Sequence, residues 1–269
     1  MGKHLLQKIK ITSFIIALVF VGFSCSDNTT GPNSGSNNGN NNGSGSNQEY
    51  SHTRGNGESA HDFLSGDTFT RLEVELDYMP NEKPTQQALD SLKKFLSRRL
   101  NKSGGIVINV SSDPVPSMGK KTYTIEDIHT LEENNRDTFT HGDTLSAYMM
   151  LVDGQYEQNN VLGLAYYNTS MAFMEKTIQD HSGGLNQPPR YKIEATVMDH
   201  EFGHNMGLVA NGSPMQQDHK TSNSHHCNVD GCLMQPAVNT SDFFANVFDG
   251  SIPDLDPLCI DDLQANGGK

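Results

Sequence analysis

His200 and His204 stand four residues apart, with Glu201 between them, in the stretch His200-Glu201-Phe202-Gly203-His204-Asn205-Met206-Gly207. On a helix this spacing puts both imidazoles on one face, where they can hold a single metal ion. Glu201 lies beside the pair and is poorly placed to be a third ligand. It is placed instead to take a proton from a water activated by the metal. Gly207 stands where such a helix should stop, because glycine enters the left-handed conformation that turns the chain back. The same residues on a solvated helix would carry no chemistry, but their context argues otherwise. Pro188 and Pro189 form a stop, and Tyr191 through Met198 then reads as a helix running into the site. Ile193 and Val197, with Ala195 and Met198, supply its apolar side.

Zinc used for hydrolysis takes three protein ligands and leaves one position for water. One common source of the third ligand is a glutamate on a later helix, and this chain has no glutamate after Glu201. A histidine or an aspartate must then serve. The later histidines are His219, His225 and His226.

The opening His-Glu-x-x-His-x-x-Gly resembles the zinc site of the metzincins. The following segment, His226-Cys227-Asn228-Val229-Asp230-Gly231-Cys232-Leu233-Met234, resembles the archaemetzincin continuation. By that resemblance His226 is the third ligand of one catalytic zinc ion, and Met234 is the methionine of the Met-turn beneath it. Two departures stand out. Leu208 to His225 form an insertion before the third histidine, which leaves His219 as a rival ligand. The family pattern also runs on to a Cys-x-x-Cys that completes a second zinc site. Here only Cys259 remains, too few for a four-cysteine site.

The supporting elements follow from periodicity. Arg71–Tyr78 alternates polar and apolar residues as a strand does. Pro84–Leu100 reads as a helix with Ala88, Leu89, Leu92, Phe95 and Leu96 on one side. Further strands are expected at Gly105–Val110, Thr144–Val152, Val161–Tyr167 and Ser170–Glu175, with short helices at Ile125–Asn134 and Leu258–Gln264. This order resembles the metzincin amino-terminal subdomain. The resemblance implies an α+β or α/β fold: a mixed, twisted sheet of about five strands, a backing helix and an active-site helix, then a loop-rich C-terminal subdomain with a Met-turn. It also makes Val161–Tyr167 the edge strand that pairs with an extended peptide or protein substrate.

The first residues read as an export signal. Lys3, Lys8 and Lys10 precede an apolar core from Ile11 to Phe23, shorter than the about 20 residues a membrane span needs. Cys25 follows directly and resembles the lipidated cysteine of a bacterial lipoprotein. The layout is then a signal at 1–24, a lipidated cysteine with an Asn/Gly/Ser-rich tether at 25–58, and a metallopeptidase domain at 59–269 divided near 207. A membrane-anchored, extracytoplasmic enzyme is expected, with secretion as the alternative.

Export favours oxidised cysteines, so Cys227 and Cys232 could close a small disulfide loop that holds His226, with Cys259 then unpaired and buried, and a pairing that involves Cys259 stays open. The acids Asp249, Asp254, Asp256, Asp261 and Asp262 lack the spacing of a calcium loop, and calcium is not expected. A net charge of −13 without a basic stripe argues against nucleic acid as partner. Two functions remain. One is a zinc endopeptidase with Glu201 as general base. The other is a tethered binding protein with a structural or vestigial zinc site.

Overall fold

A computed structural model describes residues 49–158, 161–185, 187–222, 224–236 and 251–269. The expected export signal, Cys25 and most of the expected tether lie outside the described residues. In chain order the first elements are α1 (Ala60–Leu64), β1 (Arg71–Tyr78), α2 (Gln86–Arg99), β2 (Gly105–Val110), β3 (Thr122–Tyr123) and α3 (Ile125–Asn135). Then follow β4 (Thr144–Leu151), β5 (Gln155–Tyr156), β6 (Gly163–Tyr167), β7 (Ser170–Phe173), α4 (Glu175–Asp180), α5 (Arg190–Asn205) and, near the C-terminus, α6 (Pro257–Ala265).

Five strands form one sheet in the order β2-β1-β4-β7-β6, parallel except for β6, which pairs antiparallel with β7. The mixed sheet expected from the sequence is therefore present, and β6 is its edge. A small parallel pair, β3 and β5, is too short to leave a periodic signal. Alternation along the strands divides the core. Leu72, Val74 and Leu76 of β1 and Leu145, Ala147 and Met149 of β4 meet the apolar sides of α2 and α5. Tyr148, Met150 and Val152 point the other way, onto Tyr123 and onto Ile128 and Leu131 of α3.

Helix starts follow their caps. Thr85 accepts a hydrogen bond from Ala88 N–H, so α2 begins one residue later and Pro84 lies outside it. Thr124 and Asp127 form a reciprocal capping box at α3. Helix α5 follows Pro189, buries most of its length, and ends as expected at Gly207, whose φ is 76°.

The folded domain starts earlier than the expected boundary at 59. Asn168 is fully buried; its side chain accepts from Arg54 N–H at 3.0 Å and donates to the Ser51 carbonyl at 3.0 Å. Tyr50 donates to Asp62 at 2.8 Å, and the Asn56 amide donates to the Ala165 carbonyl at 3.1 Å. This segment is held by polar groups that leave no apolar pattern, which is why composition alone assigns it to the tether.

His52 anchors the same segment: Nε2 accepts from Thr140 N–H at 3.1 Å, and Nδ1 lies 2.9 Å from the Arg136 guanidinium. Burial, then the charges of Arg136 and Arg54, push its pKa down from 6.5 to about 3. A lowered folded pKa means stability that is whole above 6.5 and is lost as pH falls toward 3. His52→Gln keeps an acceptor but cannot titrate. Thermal midpoints recorded across that window should fall less steeply with acid in the variant than in the parent, and parallel curves would show that His52 is not the coupled group.

Candidate metal centre

Helix α5 presents His200 and His204 on one face, with their Nε2 atoms 3.1 Å apart. His200 Nδ1–H donates to the Leu233 carbonyl at 2.8 Å. That bond fixes the tautomer and leaves the Nε2 lone pair facing His204. His226 completes the group. Its ring centroid lies 5.3 Å from that of His200 and 5.1 Å from that of His204, and nitrogens of all three rings lie within 4.8 Å of one another. Among the described residues His226 Nδ1 is buried and finds no hydrogen-bond partner.

Electrostatics favour the ligand form of each ring. Burial pushes His200 down to about 4, with His226 adding to the effect. Burial and the neighbouring histidines hold His204 well below the ordinary value, and burial followed by His225 lowers His226. Three neutral imidazoles converging on one point form a donor set that suits zinc. Glu201 is also enclosed. Burial pushes its carboxyl up to about 8, and a hydrogen bond from Ala165 N–H on β6 pulls the other way. The four side chains open into a cleft of about 620 Å³ bordered by Gly163, Asn56, Tyr156 and His225.

Met234 is fully buried under this turn of α5. A Cβ at Gly203 would lie 2.3 Å from Met234 Sδ, so the absent side chain is what lets the methionine approach the helix. Met234 and Leu233 thus act together: one packs under the helix, and the other holds His200 through its carbonyl.

His219 does not join the three histidines. It is fully buried elsewhere, with Nε2 2.8 Å from Asp262 and Nδ1 3.3 Å from Cys227 Sγ. His225 borders the cleft and sits 3.2 Å from the Val209 carbonyl. The expected Cys227–Cys232 disulfide is corrected by the structure. Cys227, Cys232 and Cys259 are free thiols; Cys227 faces His219 and Asp256, while Cys232 lies 3.7 Å from Cys259. The expected small loop fails because the two side chains turn to different partners. Of the C-terminal acids, Asp254 and Asp261 are exposed, while Asp256 and Asp262 are drawn into the fold. Asp254 pairs with Arg99 at 2.7 Å, Asp256 caps α6, and Asp262 meets His219, while Asp249 lies outside the described residues. The sequence reading missed Asn56, the Ala165 contact with Glu201 and the Leu233 carbonyl. Two of these act through the backbone, which leaves no residue-type signal.

Residues 125–255 match the Reprolysin (M12B) family zinc metalloprotease. Among solved structures, one of archaemetzincin from Methanopyrus kandleri is similar at 16% identity and a TM-score of 0.49, covering 73% of this chain and 96% of that one. Comparison with curated proteins finds no match. The region matched by the Reprolysin family carries all three histidines and Glu201, so the part of the chain that holds this centre is similar to zinc metalloproteases.

Proposed function

We propose that the chain is a zinc-dependent endopeptidase in which His200, His204 and His226 hold the metal and Glu201 is the general base. The observation that carries this reading is the convergence of three neutral imidazoles and one desolvated carboxylate on a single open cleft. When bound, zinc supplies a Lewis acid that acidifies water and polarises a peptide carbonyl. Glu201 takes the proton of the attacking water and later delivers it to the leaving amine. Its enclosure favours holding that proton near neutral pH, while a nearby cation would lower its pKa toward the working range.

Strand β6 orients the substrate. Leu162 and Leu164 face β7, since the Leu162 carbonyl accepts from Met174 N–H and Leu164 pairs with Ala172. Gly163 and Ala165 therefore face the open edge. Ala165 is already engaged by Glu201 and Asn56, so an extended peptide pairs with the backbone ahead of it. Such pairing recognises main chain and asks little of side-chain identity. Met234 forms the apolar floor, and anchoring through Cys25 places the enzyme outside the cytoplasm as a lipoprotein.

Digestion of a peptide library by the purified chain tests the activity. Chelator-sensitive internal cleavage is expected, with Glu201→Ala retaining zinc and losing about 10²–10⁴-fold in rate. Full activity in that variant would remove the general-base role, and silence of the parent enzyme on every peptide would favour a binding protein. Gly203→Ala should force Met234 aside, costing about 1–3 kcal/mol in stability and weakening zinc retention during dialysis. Unchanged retention would separate Met234 from metal binding. For the anchor, Cys25→Ser should move the protein from the membrane to the soluble fraction; a variant still sedimenting with membranes would refute lipidation there.

A further inference from the structure

Glu201 is held by Ala165 at a point where the strand that carries Ala165 is irregular. The Ala165 N–H donates to the Glu201 carboxyl. Strand β6 comes this close to α5 because Gly163 has no side chain: a Cβ there would lie 2.6 Å from Val197 Cγ1 and 2.9 Å from Glu201 Cγ. Just past Ala165 the ladder with β7 breaks. Ala165 pairs with Met171 and Tyr167 with Ser170, so Tyr166 has no residue opposite it. A bulge of this kind bends its strand and re-aims the peptide groups around it. The backbone polar groups of Ala165 face the open edge, where β7 gives them no support. Side chains hold them instead: Glu201 takes the N–H, and the Asn56 amide donates to the carbonyl at 3.1 Å.

We propose that Asn56 is a positioning residue for Glu201, acting through Ala165, and that the segment from Ser51 to Gly57 is the brace that places it. This brace is fastened on both sides of the cleft. On the sheet side Asn168, at the β6–β7 turn, accepts from Arg54 N–H and donates to the Ser51 carbonyl, both at 3.0 Å. On the side of the insertion, Gly57 has a φ of 83°, and a Cβ on it would lie 1.5 Å from the Asn211 carbonyl oxygen. A Cβ at Gly212 would in turn lie 2.2 Å from the Gly57 carbonyl oxygen. Two backbones meet there because both residues are glycine. Asn211 then donates to the His204 carbonyl at 3.3 Å, at the end of α5. The brace therefore joins the strand that holds Glu201 to the last turn of the helix that carries it.

Stability alone does not account for this carboxamide. Nδ2 donates one hydrogen bond, while Oδ1 is buried and has no donor among the described residues. An enclosed acceptor without a donor loses more than one such bond returns. What Asn56 supplies is direction. With its carbonyl held, Ala165 keeps its N–H aimed at Glu201 in spite of the bulge, and the carboxyl keeps one orientation at the border of the cleft. The consequence for catalysis rests on the peptidase reading; the hold on Ala165 does not.

Asn56→Asp in the full chain tests the role, since it keeps the shape of the side chain but offers the Ala165 carbonyl no donor at neutral pH. On a peptide that the parent cleaves, kcat should fall about 10- to 100-fold while KM and bound zinc stay parental. Asn56→Gln keeps a donor on a longer arm and should recover part of that loss. Gly57→Ala displaces the brace without touching the carboxamide and should lower kcat in the same way. Hydrogen exchange read by mass spectrometry needs no activity. In Asn56→Asp the segment Gly163–Tyr167 should exchange about tenfold faster, while β1 and β4 keep parental rates. Parental exchange in β6 would overturn the hold on Ala165, and equal acceleration in β1 and β4 would reduce it to a general loss of stability. Faster exchange in β6 with kcat within about twofold of the parent would overturn the positioning of Glu201. If the parent cleaves no peptide, the peptidase reading falls, and exchange in β6 still upholds or overturns the hold of Asn56 on Ala165.

Discussion

The hydrogen bond from His200 Nδ1–H to the Leu233 carbonyl is the contact on which the arrangement of the centre depends. It joins the rigid helix α5 to a segment that has little regular structure of its own. Through it, the His200 nitrogen that faces His204 acquires a defined tautomer and a defined direction. The same segment brings Met234 against Gly203 and, through the Met234 carbonyl accepting from Cys227 N–H at 2.8 Å, fixes the residue next to His226. A short run of backbone thus sets two of the three histidines and the floor beneath them.

The sheet provides the other half of the frame. Its central strands β1, β4 and β7 are buried on both faces over most of their length, so their polar groups need internal partners. Glu75 accepts from the backbone N–H groups of Asp137 and Thr138, Asp77 accepts from Tyr148, and Arg136 pairs with Glu132 at 2.7 Å. Asn168 and Thr169, at the β6–β7 turn, are completed by the segment from Ser51 to Arg54. What composition suggests is linker is therefore part of the wall that supports the edge strand. Edge, turn and leading segment form one polar assembly, and the cleft opens beside it.

Desolvation does opposite things to the two kinds of group at the centre. It lowers the histidines, keeping lone pairs available, and it raises Glu201, making its carboxylate a ready proton acceptor. One enclosed environment suits both the ligand role proposed for the histidines and the base role proposed for Glu201. No helix among the described residues is long and apolar enough to cross a membrane.

Much of the fold and of the site was legible in the residues. Period-two alternation marked β1, a 3.6-residue period marked α2, and the histidine spacing put His200 and His204 on one face of α5, because each signal lies within one element. Boundaries shifted by a residue or two where a cap such as Thr85 decided them. Choosing His226 over His219 lay beyond periodicity, since both lie in loops; the resemblance favoured His226, and chain packing brings its ring to α5. The cysteine arrangement was equally hidden. Sequence proximity suggested Cys227 with Cys232, whereas the fold turns Cys227 toward His219 and brings Cys232 to Cys259. Sequence alone determined the chemistry available and the elements that carry it, because both are local. Tertiary structure decided which distant side chains share a point in space, because that depends on how loops close around a core.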